Sequence, residues 1–267
     1  HFSPVQWHAH EMFFGFGWAV LGGFLLTASK NWVGVRGYHG GTLMFLAAAW
    51  IFERAGMSLG GAWPRPLFLL SNNLFLSSIV ILLLATLIRH RDTDSYRRDN
   101  VFFLIILPLF WIAKTLLLQP EHFNTGWSMT LGLFRVAFLV MLERTLSQFM
   151  RAAFAVDILR KPALDTAIKA LAAVLVFAAL LPAGLAHGLE LLLAALLLGR
   201  LAFWHPLKAC TRLDIGIMYL GYLAIVAQLL IDALPPPGAT GWVGTVAVHV
   251  FTFGAMGLVI PAMIIRI

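Results

Sequence analysis

The sequence predicts an all-α fold: a polytopic bundle of about nine transmembrane helices that forms a single domain over residues 1–267. Three observations support this prediction. Hydrophobic residues make up 60% of the chain, charged residues make up 12%, and the mean hydropathy is +0.86, which is far from the composition of soluble domains. Apolar stretches recur at lengths close to those that cross a bilayer. Lysine and arginine also alternate between loops as membrane topology requires.

Each apolar stretch is predicted to be a helix, because a segment inside a bilayer has to satisfy its own backbone hydrogen bonds. Turn residues mark several boundaries: Gly60-Gly61 follows the second stretch, Gln119-Pro120 the fourth and Pro235-Pro236-Pro237-Gly238 the eighth. The second stretch is the least regular, since Glu53 and Arg54 interrupt it. In order, the nine stretches cover residues 11–29, 40–56, 66–88, 101–119, 127–150, 164–182, 187–204, 213–233 and 241–266.

Loop charges predict the orientation of these helices. Four loops contain two to four Lys or Arg residues each, while each of the alternate loops contains one or none. Loops rich in Lys and Arg stay in the cytoplasm, so the first and ninth helices are expected to enter from outside. The basic loops are 30–39, 89–100, 151–162 and 200–212, and the alternate loops are 57–65, 120–126, 183–186 and 234–240.

Three histidines are then predicted to share the outer leaflet. His8 and His10 begin the first helix, and His249 lies about 12 Å inside the ninth at 1.5 Å per residue, where we expect it to be buried. Ionisable groups at membrane depth are functional candidates by default, and histidine is a common ligand of metals and haem. Residues two apart on a helix point about 200° away from each other. If the segment is helical, His8 and His10 therefore serve different centres.

Two basic side chains lie at similar depth and need anionic partners. Lys114 is in the outer half of the fourth helix, and Arg135 is about two turns into the fifth. Haem propionates or an anionic substrate would suit both cations, although Lys114 can instead extend to the interface. Glu143 and Arg144 lie in the inner half of the fifth helix, where local pairing or pairing with headgroups accounts for them.

Several motifs of the chain form a recognisable pattern. They are WHAHEMFFGF at residues 7–16, GFLLTA at 23–28, FRV at 134–136, LGY at 220–222 and HVFTFGAMG at 249–257. These motifs resemble the NnrS family. The resemblance implies a bacterial inner-membrane protein that binds haem b and copper through His8, His10 and His249, and that is tied to nitric oxide metabolism and nitrosative stress. It also implies a protein of roughly twelve helices, of which we expect this chain to be part.

Two main functions remain open at this point. The first is a membrane haem and copper protein that meets nitric oxide or nitrosylated metal species and an unidentified redox partner, with turnover chemistry left undecided. The alternative is a transporter of a small anion or metal ligand, in which Lys114, Arg135 and His249 bind cargo or relay protons. A membrane sensor or scaffold is a third, weaker alternative. The single cysteine, Cys210, excludes an internal disulfide, and the scattered basic residues indicate membrane topology rather than nucleic-acid binding.

Overall fold

The computed structural model describes residues 2–234 and 245–266. Over these ranges the chain is helical, without strands, and contains nine helices that are long and apolar enough to span a membrane. The prediction of an all-α transmembrane bundle is therefore confirmed. The helices are α1 Pro4–Val33, α2 Gly41–Ala62, α3 Arg65–Arg89, α4 Asn100–Leu117, α5 Pro120–Phe154, α6 Pro162–Leu180, α7 Ala183–Ala202, α8 Leu213–Ala233 and α9 Val246–Ile265.

The two largest boundary differences are at the starts of α1 and α5, each of which begins seven residues earlier than the predicted apolar stretch. At α1 the reason is a helix cap. Ser3 caps the helix by accepting a hydrogen bond from the Gln6 amide, the Gln6 side chain accepts in return from the Ser3 amide, and Pro4 occupies the first turn. This capping box fixes a helix start independently of hydropathy. His8 and His10 are consequently helical. Residues 241–244 of the ninth predicted stretch, and 235–240 of the loop before it, lie outside the described residues.

The chain divides into two compact units, His1–Thr130 and Leu131–Ile267. The sequence predicts one domain, and each unit is described separately below. In the first unit, Trp18 packs on Phe110 with ring centroids 4.7 Å apart, and both side chains are fully buried. In the second unit, Trp204 and Tyr222 form a similar pair at 5.3 Å. Helices inside a membrane gain no hydrophobic free energy when they leave lipid and pack together. Aromatic contacts of this kind are well suited to stabilise their packing.

Two helices share an uncommon irregularity. Residues Glu11–Gly17 of α1 and Val250–Met256 of α9 are π-helical, and each segment begins directly after a histidine. The backbone bonds follow the wider spacing: the amide after each segment donates to the carbonyl five residues back, at Phe13 and at Thr252. Such turns are rare and concentrate at functional sites, so they direct attention to the two histidines.

The membrane orientation remains a prediction that site-directed labelling can test. Ser95, in the loop between α3 and α4, and Asn124, near the start of α5, are both exposed. After replacement of the exposed native Cys210 by serine, we expect Ser95→Cys to react with an impermeant maleimide only from the cytoplasmic side and Asn124→Cys only from outside. Labelling of both from the same side would contradict the orientation, and with it the shared outer leaflet of the histidines.

Candidate functional site

His10 is fully buried in the first unit, and both of its ring nitrogens have neighbours. Its Nδ1 atom lies 3.1 Å from Oε1 of Glu11, and its Nε2 atom lies 3.2 Å from the side-chain nitrogen of Asn72. An amide NH₂ group can only donate, so the Nε2 atom accepts from Asn72. By this hydrogen-bond assignment the ring is neutral and carries its proton on Nδ1, which donates to Glu11.

Four charged side chains surround this imidazole. The Lys114 ammonium donates to the Glu53 carboxylate and to the backbone carbonyl of Asn72. Arg54 contacts Glu11 and lies 3.2 Å from the Glu53 carboxylate. The Glu53 carboxylate is itself 3.4 Å from the His10 Nε2 atom. The two carboxylates and two cations balance in charge, which favours a neutral imidazole. We call His10, Glu11, Glu53, Arg54, Asn72 and Lys114 the His10 cluster.

The cluster explains Lys114 in a way the sequence did not anticipate. Lys114 is 1% exposed, so it does not extend to the interface. It has the anionic partner that a buried cation needs, but that partner is a protein carboxylate, Glu53, instead of a haem propionate. Glu53 and Arg54 were overlooked as candidates because they were considered only as an interruption of α2. Their position in the middle of an apolar helix was the available signal.

Close packing of α2 against the π segment completes the site. The Trp50 indole N–H donates to the Gly15 carbonyl at 2.8 Å, which satisfies a backbone group in the irregular turn. A Cβ atom at Gly15 would run into the Arg54 guanidinium and would lie 3.2 Å from Glu11. Glycine is therefore required at position 15 to leave room for the Arg54–Glu11 ion pair. His8, two residues before His10, is exposed and takes no part in this packing.

Arg135 lies in the second unit and is 3% exposed. Its Nη1 atom donates to Oε1 of Gln228 at 3.0 Å, and its buried Nε atom has no hydrogen-bond partner. Glu190 and Asp232 are the carboxylates whose charges act on it, and Gln228 donates to Asp232. Glu190 is buried rather than interfacial, and its Oε2 atom is also without a partner. Arg135 thus retains bonding capacity for a further acceptor.

His249, also in the second unit, is exposed, so the expectation that it is buried is wrong. Its Nδ1 atom is 2.8 Å from the Thr245 carbonyl and 2.9 Å from the Thr245 hydroxyl. A histidine in an apolar helix needs a hydrogen-bond partner, and here its own helix provides one four residues back, so burial is unnecessary. The ring stacks on Phe253, with centroids 5.9 Å apart and planes 19° apart, beside an open cleft of about 420 Å³.

His10 and His249 share a local pattern. Each is followed by phenylalanine at the fourth position and glycine at the fifth, and each phenylalanine ring lies close to the histidine ring, at 5.7 Å for Phe14 and 5.9 Å for Phe253. In each case an acceptor holds the Nδ1 proton. The Nε2 lone pair of His10 accepts from Asn72, whereas among the described residues no hydrogen bond is made to the Nε2 atom of His249. The shared spacing His-x₃-Phe-Gly is visible in the sequence once the two helices are aligned on their histidines, and it was overlooked.

The surroundings of His10 fit a small soft metal ion better than a macrocycle. Among the described residues, no three His, Cys, Asp or Glu side chains are grouped to hold a metal. Near His10, however, the Met57 sulfur lies 3.2 Å from the same Asn72 nitrogen, and the buried Oε2 atom of Glu53 has no hydrogen-bond partner. Imidazole and thioether are copper donors. A haem does not fit at His10, because the ring is fully buried and Asn72 and Glu53 both lie within 3.4 Å of its Nε2 atom. A single ion would need to displace only the Asn72 amide.

The exposed His249 fits haem ligation. Its cleft is lined by Thr245, Val246, Val250 and Phe253 besides the histidine itself, so it is mostly apolar, as the site of a b-type haem is expected to be. The Thr245 carbonyl fixes the ring orientation in the way that outer-shell acceptors do in metal sites. Of the predicted ligands, His8, His10 and Lys114 belong to the first unit, and Arg135 and His249 belong to the second.

Comparison with known proteins adds a family assignment. A family model described as NnrS protein matches residues 1–267, the whole chain. No curated protein and no solved structure matches it. The match extends over the His10 cluster and over Arg135 and His249 alike.

Proposed function

The chain belongs to the NnrS family, and on that premise we propose that it is a bacterial inner-membrane protein that binds haem b and copper and acts in the nitric oxide response or in relief of nitrosative stress. One observation carries the proposal. In both His10 and His249 an acceptor of the chain holds the Nδ1 proton, and both residues stand at the start of a π segment. Metal-ligating histidines are held in this way.

We assign haem to His249. Thr245 holds the ring, the Phe253 face and the cleft supply apolar surface, and the His249 Nε2 atom is available as an axial donor. Arg135 is our candidate for a propionate partner, since its buried Nε atom is unbonded and a guanidinium binds carboxylates through two parallel hydrogen bonds. A haem bound there would supply the iron to which nitric oxide binds.

We assign copper to His10. The soft thioether of Met57 and the His10 imidazole suit Cu(I), and Glu11 orients the ring by accepting its Nδ1 proton. The charges of the His10 cluster already cancel, so a monovalent ion adds only one charge to a buried site. Because α1 is helical at this point, His8 faces away from His10, and we propose that His8 does not ligate this copper.

Visible absorbance and metal analysis of the purified chain test these assignments. We expect wild type to show a Soret band that shifts on addition of nitric oxide, together with bound copper. His10→Ala should lose the copper and keep the Soret band, whereas His8→Ala should keep the copper. His187→Ala, an exposed histidine of α7, is the matched control and should retain both.

Two results would contradict this proposal. A wild-type protein with neither Soret absorbance nor copper would refute the function, and full copper in His10→Ala would refute the assignment to His10. The unbonded Nε atom of Arg135 also favours the alternative, a transporter of a small anion. That alternative predicts a colourless, metal-free protein whose Arg135→Gln variant loses anion uptake into proteoliposomes.

A further inference from the structure

The second unit contains another buried charge cluster, whose members differ from Arg135 and its partners Gln228, Glu190 and Asp232. Its members are Glu143 of α5, Arg160 of the following loop, Asp165 and Lys169 of α6, and Arg200 of α7, which we call the Glu143 cluster. Glu143, Lys169 and Arg200 are at most 2% exposed. This cluster plays no part in the proposed haem and copper sites, so what it binds is a separate question.

One carboxylate is shared by three cations. Glu143 accepts from Arg160, while its Oε2 atom lies 3.2 Å from the Lys169 ammonium and 3.4 Å from Nη1 of Arg200. These partners come from three other elements of the chain. The sequence had led us to expect that Glu143 pairs locally or with lipid headgroups, and this expectation is wrong. Asp165 is more distant, at 3.7 Å from Nη1 of Arg200. Both ion pairs of the Arg200 guanidinium are therefore long, at 3.4 and 3.7 Å.

Arg200 is the under-bonded member of the cluster. Its buried Nη2 atom has no hydrogen-bond partner. Its Nε atom is 3.3 Å from the Tyr222 hydroxyl, which donates its own proton to the Leu197 carbonyl at 2.8 Å. The Trp204 ring holds the guanidinium in place at 4.5 Å. A buried, positioned and unsatisfied N–H group costs stability unless an acceptor from outside the chain occupies it.

The cluster lies near helix ends. Arg200 is two residues before α7 ends at Ala202, and Lys169 is about 10 Å from the start of α6 at 1.5 Å per residue. The Arg160 side chain is 39% exposed and so reaches from the surface to Glu143. Lys161 and Lys208 flank the same end, against the rings of Phe203 and Phe154. This is the predicted cytoplasmic end of these helices.

We propose that the Glu143 cluster binds an oxyanion of the phosphate class through Arg200, with Arg160 at its entrance. Guanidinium groups match phosphate oxygens with paired hydrogen bonds, and basic pockets between helices on the cytoplasmic side are suited to anionic headgroups. Free phosphate and the phosphodiester of phosphatidylglycerol present the same chemistry. The site is independent of the haem and copper assignments and extends the function beyond them.

Ligand-dependent thermal stability of the purified chain in detergent tests the proposal. The probes are sodium phosphate, short-chain phosphatidylglycerol, short-chain phosphatidylcholine and sodium chloride at matched ionic strength. We expect phosphatidylglycerol to raise the Tm saturably and phosphatidylcholine and chloride to leave it unchanged. Arg200→Gln should weaken the apparent Kd at least tenfold. Arg212→Gln, an exposed arginine on the same side that pairs with Asp214, is the control and should bind within twofold of wild type.

The outcomes distinguish the sources of the anion. A response to both phosphate and phosphatidylglycerol supports a free oxyanion site, and a response to phosphatidylglycerol alone supports a headgroup site. Equal responses to phosphatidylcholine, no response to either phosphate probe, or wild-type affinity in Arg200→Gln would overturn the proposal. If Arg200→Gln fails to fold, the apparent Kd values of Tyr222→Phe and Arg160→Gln test the proposal instead. Both variants are expected to weaken binding several-fold.

Discussion

Lys114→Met is expected to lower the free energy of unfolding by about 3–5 kcal/mol, the cost of breaking a buried ion pair by removing one partner. Lys114 and Glu53 are each 1% exposed, so the variant leaves the Glu53 carboxylate without its closest cation. It also removes the donor to the Asn72 carbonyl. Reversible unfolding in mixed micelles, followed by circular dichroism, measures the change.

A double-mutant cycle separates the ion pair from the loss of packing. Lys114→Met combined with Glu53→Gln removes both charges and is expected to recover most of the lost stability, because a neutral pair of similar volume is tolerated. Lys208→Met, at an exposed lysine, should stay within about 0.5 kcal/mol of wild type. A double variant as unstable as Lys114→Met would show that packing, and not charge, is what Lys114 provides.

His249→Ala is expected to abolish the Soret band while leaving copper content and stability close to wild type. The side chain is exposed, so its loss should change the free energy of unfolding by less than about 0.5 kcal/mol. The lost axial nitrogen has no replacement on an apolar cleft. Titration with haem, followed by absorbance, gives the affinity directly.

Thr245→Val provides the graded comparison for this site. It removes the hydroxyl beside the His249 Nδ1 atom and keeps the backbone carbonyl that lies 2.8 Å away. We expect haem to bind more weakly but still measurably, because the ring loses only part of its support. Full Soret absorbance in His249→Ala would refute the haem assignment, whatever the behaviour of Thr245→Val.

Hydropathy and loop composition were sufficient to predict the fold class and nine spans, because the bilayer imposes length and polarity on each helix separately. The site was only partly predictable. His10 and Lys114 could be recognised as costly groups at membrane depth, but the partner of Lys114 is 61 residues away in sequence. Which helix faces bring two such residues together depends on tertiary packing, which periodicity does not determine.

The errors have equally specific causes. The start of α1 depended on the capping box at Ser3 and Gln6, a polar signal that hydropathy does not detect. His249 was expected to be buried because a hydrogen-bond partner was sought on another helix, whereas Thr245 on its own helix provides one. The Arg200 site could not be foreseen at all, since a sequence does not reveal which donor remains unbonded.

Because of the two π segments, the direction in which each histidine side chain points depends on the number of residues in the turn that follows it. A π turn accommodates one residue more than the α-helical turn it replaces, so the helix before it is rotated relative to the helix after it. Deleting one residue within Glu11–Gly17 would let α1 close as a regular helix and turn His10 by about 100°, away from Asn72 and Glu53. The same holds for His249 and Val250–Met256. The orientation of both histidines is therefore more vulnerable to single-residue deletions than to most substitutions nearby. We expect gene variants that alter the length of these turns to disable the proposed binding while every proposed ligand residue is retained.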